Sequence, residues 1–167
     1  MARCITLVSC LGFMLLSEIV EAQTHETQLT TWRALYRQAS ETNQAKPMAL
    51  SMDSARQQRP DSSMANGFLA VAELMLAEES WNPVDKLARF NTWQPVLDAA
   101  IKAMPGDPDL ALLRLGVQAH VPAILNYDQD MAKDEAVVMQ ALARGHWSND
   151  PEHAAFAEAF LSYLKSL

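Results

Sequence analysis

The segment DLALLRLGVQA, residues Asp109–Ala119, carries the strongest indication of the fold. Its apolar residues point to nearly every side of a helix, a pattern typical of a helix at the centre of a helical domain. The residues PGDP at 105–108 end the preceding segment, and Pro122 ends the segment 109–119 itself. No part of the chain alternates apolar and polar residues over a sustained stretch, as a half-buried strand would. We therefore predict an all-α protein.

Five further segments have apolar residues at helical spacing, which brings the expected total to about six helices. They are a helix over about Thr24–Thr42, a helix capped by Asp61, a helix opened by Asn82-Pro83 that kinks or divides at Pro95, a helix over Asn126–Arg144, and a helix opened by Asp150-Pro151. The inner side of the last helix is expected to hold Phe156, Phe160, Tyr163, Leu164 and Leu167. The Ser-, Gln- and Arg-rich stretch 47–60 is predicted to be a connector, with room for a helical turn.

The first 22 residues have the pattern of a secretory signal peptide. Residues 1–3 supply one positive charge, Cys4–Leu16 is an almost unbroken apolar run, and small residues precede a cleavage point after Ala22. The run is shorter than the ~20 apolar residues that span a bilayer, so an uncleaved anchor is the lesser alternative. It also continues past Cys10, which argues against lipidation there. We predict a cleaved, periplasmic or secreted protein without stable membrane insertion.

The predicted mature domain, residues 23–167, is one domain whose composition excludes several kinds of chemistry. Both cysteines, Cys4 and Cys10, lie in the predicted signal peptide, so the domain has no disulfide, no thiolate nucleophile and no thiolate-bound metal. Removal of residues 1–22 takes away one base and two acids, which changes the formal charge from −7 to −6. An acidic domain without a basic cluster does not fit a nucleic-acid partner.

The sequence of the mature domain contains no recognisable catalytic or metal-binding motif. Its histidines are not spaced as metal ligands; they are His25, His120, His146 and His153. No glycine-rich phosphate loop and no serine-nucleophile elbow occurs, and the Ser-x-x-Lys spacing at 162–165 falls on the last helical turn. We therefore predict no catalytic residue, no cofactor and no metal, and a protein that is not an enzyme.

Two junctions between helices carry a resemblance to a known repeat family. The segment LDAAIKAMPGDPD at 97–109 is similar to the end of one tetratricopeptide repeat and the start of the next, and Ser148–Glu152 resembles a second junction. The two Asp-Pro pairs lie 43 residues apart, against the ~34 of that repeat. The resemblance implies antiparallel helical hairpins in a partial, irregular stack.

A wider resemblance is to small exported bacterial proteins without assigned function, and it rests on Asn82–Lys86, the turn at 105–107, Leu113–Leu115 and Val121–Tyr127. It carries no catalytic residues to this chain.

The most apolar helix contains an arginine, and two interpretations of it stay open. Arg114, Gln118, His120 and Tyr127 lie close together in sequence and can form a pocket for an acidic or polar ligand, since arginine offers a fork of donors. Alternatively, Arg114 pairs with an acid on a neighbouring helix, for which Glu73 is the candidate, because a lone buried charge is costly.

The tryptophans and methionines fill either a core or a groove that accepts a partner segment. Trp81 and Trp147 lie beside helix breaks and are expected to reach the surface and contact a partner. We predict an exported helical interaction module that binds a protein or peptide in the cell envelope. A small-ligand carrier with a polar pocket near Arg114 is the alternative, and an enzyme of unrecognised type is a third possibility.

Overall fold

The computed structural model describes residue 23 and residues 26–166, which fold into seven α-helices without a strand. The helices are α1 (26–42), α2 (Lys46–Gln58), α3 (Ser63–Glu79), α4 (Pro83–Ala103), α5 (Pro108–His120), α6 (Met131–Ala143) and α7 (Pro151–Leu164), with a 3-10 turn at Ala123–Leu125. The all-α prediction is confirmed. The predicted signal peptide, residues 1–22, lies outside the described residues. Among the helices described, none has the length and apolar character needed to cross a bilayer.

The predicted connector at 47–60 is wrong, because most of it forms helix α2. Pro47 lies in the first turn, where its missing N–H costs no hydrogen bond. The Ser, Gln and Arg side chains that suggested a loop lie mostly on the solvent side. The buried side is a stripe at helical spacing that consists of Met48, Ala49, Met52 and Ala55. Small apolar residues and flexible methionines gave this stripe a weak signal.

Side-chain caps fix most of the helix starts. The carboxylate of Asp107 accepts from the backbone N–H of Leu110, and Asn82 and Asp150 cap α4 and α7 as predicted. The cap of α3 is Ser62, one residue after the predicted Asp61. α4 continues through Pro95 as one helix.

Helix α6 begins five residues later than predicted. Asn126 adopts a left-handed backbone conformation with φ 50° after the 3-10 turn, so the chain cannot continue as a helix from that point. The helix starts at Met131 instead.

Helix α5 lies between two hydrophobic cores, and every residue from Asp109 to Gln118 is buried. Leu110, Leu113 and Val117 pack into a core shared with α1–α4. Residues on the other side of α5 pack against a second core formed by α6, α7 and Trp147. α5 therefore has the central position that its apolar residues on nearly every side predict.

Helices that are neighbours in sequence pack against each other. α3 contacts α2 and α4, α6 contacts α5 and α7, and α3 also contacts α5. The connections between α2, α3, α4 and α5 are three or four residues long. Connections this short make consecutive helices antiparallel.

Candidate functional site

An open cavity of about 650 Å³ lies between α3, α4, α5, α7 and the C-terminal half of α1. We call it the apolar groove, because its lining is mostly aliphatic and aromatic. Val71 and Met75 come from α3, Phe90 from α4 and Val117 from α5. The volume falls in the range of ~300–1,000 Å³ that is typical of ligand sites.

The floor of the groove is an uncharged aromatic surface. Tyr36 is buried, and its ring meets Phe156 edge-on at 5.5 Å between centroids. Burial raises the pKa of Tyr36 to about 12, so the phenol stays protonated at neutral pH. The hydroxyl reaches close to α5 because Gly116 has no side chain; a Cβ there would lie 2.5 Å from the hydroxyl oxygen.

One wall of the groove is an aromatic stripe on α7. Phe156, Phe160 and Tyr163 line the groove, while His153, Ala157 and Leu161 form the buried face of the helix. The predicted inner side of α7 is therefore rotated from the observed one; Leu164 is half-buried, and Leu167 lies outside the described residues.

His120 extends this aromatic wall. Its ring stacks on Phe160 and Tyr163, with interplanar angles of 20° and 13°. Nδ1 lies 2.8 Å from the carbonyl oxygen of Gly116, and a proton on Nδ1 makes it the donor in this hydrogen bond. The other ring nitrogen, Nε2, is then left for a ligand or solvent.

The rim of the groove carries exposed hydrophobic side chains. Ile124, which is 91% exposed, lines the groove together with the partly exposed Leu87 and Tyr163. Trp81, which is 93% exposed, and Val84 flank Pro83, another lining residue. Three of the seven large exposed hydrophobics in the described part of the chain thus line the groove, and two more are sequence neighbours of Pro83. The predicted exposure of Trp81 is confirmed.

The prediction that Trp147 reaches the surface is wrong, because the residue is only 1% exposed. Its indole Nε1 donates to Oδ1 of Asp109 at 3.1 Å, and its ring meets His146 and His153 edge-on. The turn before α7 folds this side chain into the second core beside α5.

Arg114 forms ion pairs with Asp134 of α6 and with Asp130, the residue before α6. Its Nε and Nη2 donate to the two oxygens of Asp134 at 2.6 and 2.8 Å, and Nη1 donates to Asp130 at 2.9 Å. The hydrogen bond to Asp134 and the charges of both acids raise the pKa of Arg114. The acid partner expected for Arg114 exists, but the suggested one, Glu73, pairs with Arg89.

The four residues of the predicted ligand pocket do not share one cavity. His120 lines the apolar groove, whereas Gln118 and Tyr127 line a second cavity of about 220 Å³, which we call the small cavity. Arg114 lines neither. The Tyr127 hydroxyl donates to Oδ1 of Asp98 at 2.7 Å, and burial and this carboxylate raise the pKa of Tyr127 above its usual range.

Sequence reasoning missed a buried ion cluster that joins α1 to α5 and α7. Arg33 donates through Nε and Nη2 to both oxygens of Asp109, each at 2.8 Å. One turn later in α1, Arg37 contacts Asp150 at 3.3 Å and Glu152 at 2.9 Å. The available signal was the position of the two arginines, one turn apart and each directly after a residue of the apolar stripe of α1, Trp32 or Tyr36.

Two histidines approach the same carboxylate. His153 Nε2 lies 3.5 Å from Asp109 Oδ1, and His146 Nε2 lies 3.8 Å from Oδ2. Burial alone would raise the pKa of Asp109, but donor groups of both histidines and of Arg33 outweigh it and hold that pKa well below its usual range. Asp109 lines neither cavity, so we assign this cluster to the attachment of α1 and α7.

The described residues thus form an all-α protein with an open apolar groove, and they contain no cluster of His, Cys, Asp and Glu suited to a metal ion. Comparison of the chain with family models, with curated proteins and with solved structures finds no match.

Proposed function

We propose that the protein is an exported helical interaction module whose apolar groove holds an apolar segment of a partner protein or peptide. The observation that carries this proposal is the set of exposed hydrophobics that line the groove, which are Leu87, Ile124 and Tyr163. A small ligand inside the groove would leave much of Ile124, which is 91% exposed, in water, whereas a polypeptide is large enough to cover it. Exposed apolar side chains gathered at one groove are typical of interaction sites.

The helix arrangement also supports a hairpin stack of the irregular, tetratricopeptide-like kind. The groove is lined by α1, α3, α5 and α7 and by the start of α4. Alternate helices therefore face the same side, as in stacked helical repeats that build a concave binding surface.

The proposed export rests on the pattern of residues 1–22, and the proposed location is the periplasm or the medium. Fractionation of producing cells, followed by mass spectrometry of the intact protein, tests it. A mature chain that begins at Gln23 outside the cytoplasm supports export, and a cytosolic chain that retains Met1 overturns it.

A polar-ligand carrier centred on Arg114 has weaker support. Its positive charge is already paired with the carboxylates of Asp130 and Asp134, and the residue lines neither cavity.

Selection from a random peptide library with the purified protein tests the groove. We expect the selected peptides to share apolar residues at helical spacing. Loss of an anchor side chain from an interface costs ~2 kcal/mol or more, so Ile124→Ser, which changes an exposed residue that lines the groove, should weaken binding about 30-fold. Leu50→Ser is the matched control, because Leu50 is exposed on α2 and does not line the groove.

Equal binding by the two variants would overturn the assignment of the groove. Selection of peptides without apolar residues would do the same. Binding to anionic lipid vesicles instead of peptides would reassign the surface to a membrane.

A further inference from the structure

The connection between α3 and α4 carries Trp81 at the edge of the apolar groove but outside it. Glu78, three residues before Trp81, and Pro83, two residues after it, both line the groove, whereas Trp81 does not. The tryptophan is 93% exposed. Its indole therefore does not fill the groove of its own chain and is available to another molecule.

Two side-chain hydrogen bonds order this connection. The Ser80 hydroxyl accepts from the backbone N–H of Asn82 at 3.2 Å, and the side-chain oxygen of Asn82 accepts from the N–H of Val84 at 3.0 Å. A side chain on a backbone that is already ordered loses less conformational freedom when it binds. Trp81 is thus a preorganised anchor, and tryptophan is among the residue types that dominate binding energy at interfaces.

The groove beside this anchor has a surface suited to an indole. Phe156, Phe160 and Tyr163 form its aromatic wall, and aromatic rings pack well on each other in offset or edge-on contacts. One molecule thus carries an exposed tryptophan and a groove for a tryptophan side by side. A two-fold symmetric dimer uses the same patch on both copies, so a patch of this kind is self-complementary.

The charges at the groove are self-complementary as well. Glu78 and Lys86 line the groove, both are exposed, and neither has an ion-pair partner among the described residues. In a two-fold dimer the acid of one copy can face the base of the other. The whole chain has a formal charge of −7, so this balanced region is better suited to contact between copies than a purely acidic surface.

The exposed apolar area is large enough for a dimer. A tryptophan or tyrosine side chain can bury on the order of 200 Å² and a large aliphatic one on the order of 100 Å². With their observed exposures, the five apolar side chains in and beside the groove offer on the order of 500 Å² per copy, or about 1,000 Å² per dimer. They are Trp81, Val84, Leu87, Ile124 and Tyr163. A specific interface needs about 1,000 Å² in total, and the inner walls of the two grooves add to this area.

We propose that the groove is occupied by a second copy of this chain, in a two-fold symmetric dimer in which Trp81 of each copy enters the groove of the other. This inference rests on the proposed function, because it identifies the partner that the groove holds. The segment that enters is the ordered connection Ser80–Asn82, and the indole packs against the aromatic wall and Ile124.

Sedimentation equilibrium of the purified protein at micromolar to millimolar concentration tests the dimer. We expect a reversible monomer–dimer equilibrium. Loss of one anchor weakens an interface about 30-fold, and Trp81→Ser removes two anchors per dimer, so its dissociation constant should rise about 1,000-fold. Leu50→Ser is the matched control, because it removes an exposed apolar residue of α2 outside the groove and should leave the equilibrium unchanged.

A mixture of two variants tests the exchange of anchors. Trp81→Ser keeps an intact groove but lacks the anchor, and Ile124→Ser keeps the anchor but has a weakened groove. Their heterodimer regains one intact contact between Trp81 and a groove, so it should form about 30-fold more tightly than the homodimer of either variant. A folding defect in either variant would not produce this gain.

Three outcomes would overturn the proposal. They are a protein that stays monomeric at millimolar concentration, a dimer that Trp81→Ser does not weaken, and a mixture that associates no more tightly than its components. A monomer that binds lipid vesicles through Trp81 would likewise exclude the dimer and assign the tryptophan to a membrane.

The peptide experiment separates this inference from the proposed function. A monomer whose selected peptides bind less tightly to Ile124→Ser than to Leu50→Ser would remove the dimer and leave the proposed function in place. Equal peptide binding by those two variants would overturn the proposed function itself.

Discussion

Replacement of Asp109 by asparagine should be among the most destabilising single changes in this protein. Asp109 is 2% exposed, and its carboxylate accepts from Arg33 at 2.8 Å through each oxygen and from Trp147 at 3.1 Å. The substitution would keep the side-chain volume but remove the negative charge. Arg33, equally buried, would retain as acidic partners only Glu26 at 3.2 Å and Asp150 at 4.0 Å.

The size of the effect follows from the uncompensated charge. Removal of one partner of a buried ion pair costs ~3–5 kcal/mol. Because Glu26 and Asp150 still face Arg33, we expect a loss near the lower end, about 3 kcal/mol. For a domain of roughly 150 residues, each kcal/mol lowers Tm by about 2–4 °C, so Tm should fall by about 6–12 °C.

Urea unfolding followed by circular dichroism at 222 nm measures this loss, with thermal melts as a second readout. Asp53→Asn is the control, since Asp53 and Arg56 form a half-exposed pair at 3.5 Å on α2. A surface pair of this kind contributes less than ~1 kcal/mol. Equal losses in Asp109→Asn and Asp53→Asn would refute the role of the buried cluster.

Two more predictions concern the neighbours of Asp109 and the floor of the groove. The Asp109 carboxylate raises the pKa of His146 in the folded protein. The protonated histidine therefore stabilises the fold fully at a pH below ~6.5, the usual pKa of histidine, and this contribution is lost as the pH rises through the raised pKa. The urea midpoint of unfolding should therefore be higher at pH 5.5 than at pH 8.5. If the His146→Gln variant shows the same difference between the two pH values, protonation of His146 is not its cause. Gly116→Ala should lose ~1–3 kcal/mol, because the new Cβ would meet the Tyr36 hydroxyl at 2.5 Å. Thermal melts should show recovery in the double variant with Tyr36→Phe, and no recovery would exclude this clash.

Local signals in the sequence predict most of the helices and their ends. Asn82 and Asp150 each precede a proline, and both cap the helix that follows. The same reasoning failed for α2, where polar residues outnumber a narrow apolar stripe, and at Asn126, where one left-handed residue delays α6. Local patterns describe the helix itself; they do not report how much of its surface another helix will cover.

The site residues depend on contacts between segments that are distant in sequence. The sequence indicates that Arg114 needs an acidic partner, because it lies in an otherwise apolar helix. It does not indicate which acid: packing of α6 on α5 places Asp134 beside Arg114 in preference to Glu73. The apolar groove likewise combines residues from five helices, and no one helix contains its pattern.

The two tryptophans beside helix breaks show how tertiary contacts separate similar local sequences. The turn that carries Trp147 leads into Asp150, which is held by Arg37 of α1, and the indole donates to Asp109. Trp81 precedes α4 and is 93% exposed. Its exposure leaves a large apolar side chain in water, which gives no benefit to the folded chain. A bound partner would supply the apolar contact that Trp147 obtains within the protein.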